Sequence, residues 1–251
     1  MIILKSKREI EYIREAGRIT ADALVLMREL AKPGVTTGEL DQRCEEYIRS
    51  RGAFPSCKGY YGFPATICAS VNEEVVHGIP GRRKLKDGDI ISIDLVVNKN
   101  GYHGDSTVTL PIGHVAPETL QLLKVTEESL YKGIEQAVAG NHLGDIGHAV
   151  QAYAESFGYG VVRDYVGHGI GSEMHEDPEV PNYGLAGHGE LLEPGLVLAI
   201  EPMITMGSEK THQLSNGWTV VTRDKKPAAH FEHTIVVTDN GPEILTLPSH
   251  E

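Results

Sequence analysis

Cysteine is scarce in this chain: its three copies, Cys44, Cys57 and Cys68, are odd in number and lack metal-knuckle spacing. A disulfide framework and a thiolate zinc site are thereby excluded, and reduced thiols are expected. No apolar run reaches the roughly 18 residues of a membrane span, and the opening MIILKSKREIEYIREAG is too charged for a secretory leader. A cytoplasmic protein with no membrane partner is the expectation. Basic excess is also missing, since the formal net charge is -12 and the short patch GRRKLK at 81–86 reads as a solvated turn. That balance argues against broad affinity for phosphate backbones and against direct nucleic-acid recognition. What is present is ordinary globular material: 251 residues, 40% hydrophobic, enough to bury a substantial core in a single domain spanning 1–251.

Periodicity separates helices from strands. Residues 7–31 read as a helix after the N-cap Ser6, with Ile10, Ile13, Leu24 and Met27 on one stripe and Pro33-Gly34 ending it. A second helix opens at Thr36 or Thr37 and runs to Gly52. The segment AFPSCKGYYGFP at 53–64 is too rich in glycine, proline and aromatic residues for a regular element and reads as a structured loop. Strands follow near 65–71, 89–97 and 102–110, then helices over 117–138 and 144–158.

The chain also echoes itself. Shifting residues 20–52 by 106 positions gives nine identities in 33, among them Thr20/Thr126, Gly34/Gly140 and Gly52/Gly158. A shift of 107 then sets DGDIISID on the run ending at Glu201, so that Gly88 meets Gly195 and Asp94 meets Glu201. Two helix-helix-strand units, each ending its strand in an acid, predict a duplicated α+β fold with pseudo-two-fold symmetry. The halves fall at about 1–113 and 114–251.

The acids themselves need explaining. IISIDLVVNKNGYHGDSTVTL at 90–110 sets Asp94 inside an apolar strand and Asp105 past the turn signal NKNG. If residues 98–101 form the loop the two aspartates face each other directly; if Asn100-Gly101 alone form it they are diagonal, still on one face. Glu201 in LVLAIEPM and Glu232 in AHFEHTIVV repeat the anomaly, while His168 in YVGHGIG adds a nitrogen among permissive glycines. Buried like charges repel, and four of them exceed what one shared proton neutralises. Four carboxylates and an imidazole suit two divalent ions roughly 3.5 to 4 Å apart, an arrangement that activates water for hydrolysis. His77 and His175 stand in Gly/Pro/acid-rich loops where a neutral imidazole can meet a substrate. His103, His114, His142, His148, His188, His212, His230 and His250 have no convincing partner in sequence, and His233 should point away from Glu232 in an extended segment.

These motifs, SVNEEVVHGIPG, DGDIISIDLVVNKNGYHGDS, YVGHGIGSEMHEDPEVPNYG, LAIEPM and FEHTIVVT, resemble type I methionine aminopeptidase of bacteria over essentially the whole chain. The resemblance implies the pita-bread fold, two related halves around a dinuclear centre, acting as one catalytic metallopeptidase domain. It implies that Asp94, Asp105, His168, Glu201 and Glu232 hold the ions, Asp105 and Glu232 as bridges, with Fe, Mn, Co or Zn all acceptable to such ligands. Glu201 would also accept and return a proton, His77 would lie near the scissile nitrogen, and His175 would steady the carbonyl oxygen. Cys57, Tyr60, Phe63, Cys68, Met174 and Trp218 would line the methionine pocket, where Phe63 and Met174 depart from the enterobacterial tyrosine and phenylalanine. A monovalent cation near Asn72, Glu74 and Ala228, made by backbone carbonyls in some relatives, is a further implication. The implied activity is removal of the initiator methionine from nascent chains with a small second residue, by a monomer in transient contact with ribosomes. A proline-directed peptidase of the same fold, a non-catalytic binding protein and a creatinase-like hydrolase without metal are the rival readings. The chain starts close to its first helix, which favours the bacterial form over eukaryotic ones with a zinc-finger extension.

Overall fold

A computed structural model describes residues 1–249, which leaves His250 outside the described residues. In chain order the elements used below are α1 (Lys7–Leu30), α2 (Thr37–Ser50), β1 (Cys68–Val71), β2 (Glu74–Val76), β3 (Ile90–Lys99), β4 (Tyr102–Pro111), α3 (Pro117–Glu135), α4 (Leu143–Ser156), β5 (Gly167–Gly169), β6 (Glu176–Val180), β7 (Val197–Ile200), β8 (Met203–Thr205), β9 (Ala228–His230), β10 (Glu232–Thr238) and β11 (Gly241–Ile244).

The helices begin where the sequence says. Ser6 and Thr36 each close a capping box, with Glu9 and Glu39 carboxylates accepting the cap N–H at 2.7 Å in both. The loop read at 53–64 is irregular apart from a two-residue strand at Phe54–Pro55 and a 3-10 turn at Tyr60–Gly62. GRRKLK is exposed except for Leu85.

Nine strands join in one antiparallel sheet, ordered Phe54–Pro55, β3, β4, β10, β7, β5, β6, with β1 added to β3 and β11 to β10, while β8 and β9 pair in one three-stranded sheet and β2 lies in another. A helix pair covers each half. Leu24, Met27, Leu40, Cys44 and Ile48 from α1 and α2 pack on Ile91, Ile93 and Leu95 of β3. Leu122, Leu130, Ile134 and Ile146 from α3 and α4 pack on Leu198 and Ile200 of β7 and Ile235 of β10. Side chains alternate across a strand, so the odd positions of β3 feed the helical core and the even ones, Asp94 and Val96, front a cavity on the other side. A strand can therefore be apolar on one face and carry acids on the other.

The hairpin that bears the aspartates has the tighter of the two possible turns. Lys99 pairs with Tyr102, leaving Asn100 and Gly101 as loop residues with φ of 54° and 82°, the twist of a type I′ turn. Asp94 consequently faces Thr107 and Asp105 faces Val96, so direct opposition of the aspartates is overturned and they are diagonal on one face.

On α1 the packing is backbone to backbone. A Cβ on Gly104 would meet Gly17 N at 2.4 Å, and Thr20 Oγ1 donates to Gly104 O at 2.8 Å, which ties the helix to the residue before Asp105.

Candidate metal centre

Sheet order explains how distant acids meet. Thr107 pairs with Asp94 on one side and with Glu232 on the other, so three adjacent strands carry Asp94, Thr107 and Glu232 in a row. Thr234 clamps Asp105 from β10, receiving its N–H at 3.0 Å and donating to its carbonyl at 2.8 Å. Ile200 pairs with His233, which sets Glu201 one step past the end of β7, and Ala199 pairs with His168. Asp105, His168 and Glu232 bring ligand atoms within 4.8 Å of one another, and Asp94 and Glu201 front the same cavity.

The electrostatics of this cluster suit a cation. Burial first, and the neighbouring carboxylates second, hold Asp105 and Glu201 well above the ordinary carboxylate range. Glu232 is pushed up to about 8 by burial and then by Asp94, against the hydrogen bond from Thr107 Oγ1 at 2.8 Å. Asp94 rises to about 6 by burial, opposed by Thr107 and Cys68. His168 Nδ1 lies 2.9 Å from Gly169 O and donates there, so its Nε2 lone pair faces Glu201 Oε1 at 3.5 Å and Asp105 Oδ2 at 3.7 Å. A lone pair aimed at two carboxylate oxygens is repulsive unless a proton or a cation lies between them. Asp105 Oδ1 and Glu232 Oε1 are fully enclosed without any hydrogen-bond partner, which leaves them free for an ion. The donor set therefore fits divalent metal.

Around the cluster lies a cavity of about 210 Å³. It is lined by all thirteen residues singled out above, namely Cys57, Tyr60, Phe63, Cys68, His77, Asp94, Asp105, His168, Met174, His175, Glu201, Trp218 and Glu232, together with Val96. One wall is apolar and sulfur-rich, with Cys57, Phe63, Cys68, Val96 and Met174 buried in a single cluster and Phe63 edge-on to Trp218 at 5.1 Å between centroids. The thiols are buried, and contact with Cys57 first, then burial, raises the Cys68 pKa, as suits wall material.

Two histidines border the mouth. Tyr60 Oη lies 2.8 Å from His175 Nδ1, fixing a ring that stands edge-on to His168 at 4.3 Å. His77 adopts φ of 58°, a left-handed conformation that a residue with a Cβ takes at a cost. Burial lowers His77 to about 4, so it is neutral near pH 7. His233 turns away as alternation requires, 2.8 Å from Thr246 Oγ1 and 3.3 Å from Tyr131 Oη. Ala228 N donates to Asn72 O at 3.0 Å, making neighbours of two positions named for a monovalent cation.

Sequence reasoning missed two residues here. Thr107, the donor to Glu232, is two places beyond Asp105 on the same strand face. His230, set aside as partnerless, is 2% exposed with Nε2 at 3.6 Å from Glu201 Oε2. Its spacing of two from Glu232 in an extended segment was the available signal.

A curled antiparallel sheet enclosing carboxylates and neutral imidazoles defines a pita-bread metallohydrolase. Residues 11–239 match metallopeptidase family M24. The methionine aminopeptidase of Clostridium acetobutylicum is 58% identical over 248 residues, 98% of this chain and 99% of that protein. The crystal structure of methionine aminopeptidase from Rickettsia prowazekii superposes with a TM-score of 0.97 at 44% identity, covering 98% of this chain and 100% of that one. A prolidase from Pyrococcus horikoshii OT3 shares the fold at a TM-score of 0.79 and 24% identity, with this chain spanning 65% of its length. The chain belongs to metallopeptidase family M24 and, within it, to the bacterial methionine aminopeptidases.

Proposed function

We propose that the chain, as one catalytic domain, hydrolyses the bond after an N-terminal methionine when the second residue is small, using two divalent ions held by Asp94, Asp105, His168, Glu201 and Glu232. The carrying observation is that a sulfur-lined apolar wall and a cluster of partnerless carboxylate oxygens share one cavity of about 210 Å³. Soft sulfur and aromatic walls suit a thioether side chain. The preference for a small second residue rests on the motif resemblance, as do nascent polypeptides and transient ribosome contact as the setting.

Bound ions in this donor set would supply Lewis acidity and an acidified water. The protein residues do the rest. Cys57, Phe63, Cys68, Met174 and Trp218 enclose the methionine side chain and exclude water from it. Glu201 accepts the proton released as water attacks and returns it to the leaving nitrogen. His175, its Nδ1 engaged by Tyr60, offers Nε2 to the carbonyl oxygen as charge develops there. His77, neutral and held by its backbone geometry, accepts or donates at the scissile amide nitrogen.

Purified protein loaded in turn with Fe, Mn, Co and Zn should release methionine from Met-Ala and Met-Gly peptides, and far less from Met-Leu. Absence of release with every metal sinks the reading, and cleavage of X-Pro peptides in preference to Met-Ala would favour the prolidase-like rival.

A further inference from the structure

We propose that His230 is a positioning residue for Glu201, its Nε2–H directed at Glu201 Oε2; the role in turnover rests on the proton-acceptor function assigned above. His230 ends β9, where it pairs with Met203 of β8. Its backbone is clamped twice by one side chain: its N–H donates to Thr109 Oγ1 at 2.9 Å, and Thr109 Oγ1 donates to its carbonyl at 2.7 Å. Glu201 is held from its own backbone, the carbonyl accepting from Asn182 Nδ2 at 3.0 Å. The two side chains meet between these anchors, with Nε2 and Oε2 3.6 Å apart.

Chemistry selects the donor. His230 Nε2 is fully enclosed without a hydrogen-bond partner, and Glu201 Oε2 at 3.6 Å lies just beyond hydrogen-bond reach, so a small approach of an ionised Glu201 closes the contact only when the proton sits on Nε2. The two oxygens of Glu201 then differ in duty. Oε1 faces the Nε2 lone pair of His168 and is the oxygen directed to a cation, whereas Oε2 faces a donor. A carboxylate free to spin about its last bond would exchange these duties; a donor on one side stops that. His230 stands outside the Asp105, His168 and Glu232 cluster but lines a second, adjoining cavity with His77, His168 and Glu201.

Two substitutions separate donor from bulk: His230→Phe keeps the ring and removes the donor, while His230→Gln places an amide N–H where Nε2–H stood. With zinc-loaded protein carrying 15N-labelled histidine, the ring nitrogen shifts of His230, assigned by loss of its signals in His230→Gln, should report the proton on Nε2. With Met-Ala peptide, His230→Phe should lower kcat about tenfold or more with KM and bound metal unchanged, and His230→Gln should restore most of it. A proton on Nδ1 alone, unchanged kcat in His230→Phe, loss of metal from it, or equal defects in both variants would each overturn the proposal. Failure of wild-type protein to release methionine would instead strike the functional reading, and the nitrogen shifts would still decide which ring nitrogen of His230 carries the proton.

Discussion

Replacing Gly104 by alanine tests whether α1 is what holds the aspartate hairpin in place. The added Cβ would lie 2.4 Å from Gly17 N, 2.6 Å from Gly17 Cα and 2.8 Å from Ala16 C. All three are backbone atoms, so no side chain can swing aside. Restoring an ordinary contact near 3.4 Å requires helix and strand to part by about 1 Å. Overpacking of this kind costs about 1–3 kcal/mol, and a chain of this size loses roughly 2–4 °C of Tm for each of these. Because Gly104 O is tied to Thr20 and Asp105 is the next residue, the shift should also reach the proposed metal site. A misplacement of about 1 Å at such a site can cost about 100-fold in rate. Thermal unfolding and kcat on Met-Ala peptide read the two effects, with Gly81→Ala as control, since its Cβ meets nothing within 4 Å. Equal Tm and kcat in Gly104→Ala and Gly81→Ala would refute the view that this contact sets the hairpin.

Two further outcomes follow from the site. His175→Ala should lower kcat about 100-fold while elemental analysis finds unchanged bound metal; metal loss would show a ligand role instead. For His77, burial depresses the folded pKa to about 4 while the unfolded value stays near 6.5, so below about pH 6.5 the unfolded chain binds the extra proton and stability falls with pH. His77→Gln should flatten the acid-side loss of stability in chelated protein by about 1 kcal/mol per pH unit between about 6 and 4.5, and an unchanged slope in urea unfolding would contradict the burial argument.

The helices were legible because their signals are local. Ser6 with Glu9, and Thr36 with Glu39, specify helix starts through contacts three residues apart, and both capping boxes form. The aspartate hairpin was half legible: NKNG announces a turn but allows two loop lengths, and the positive φ at Asn100 and Gly101 decides the register. Burial of acids in apolar strands pointed to cations because it is costly, whichever strand is read. His230 was hard to read for the opposite reason, since a histidine in a strand violates nothing and only its spacing of two from Glu232 set it apart.

What gives His230 meaning is Glu201, 29 residues earlier, and the two are joined only when β8 and β9 pair. The same holds for Thr107, ordinary in any strand until β10 sets Glu232 opposite it. Residues whose chemistry is expensive when buried announce themselves in a sequence, whereas the donors that orient them are inexpensive anywhere. The groups that fix the geometry of a metal centre are thus recovered from sheet register rather than from composition, and a search for further positioning residues in this fold starts two places along each strand from every acid that fronts the cavity.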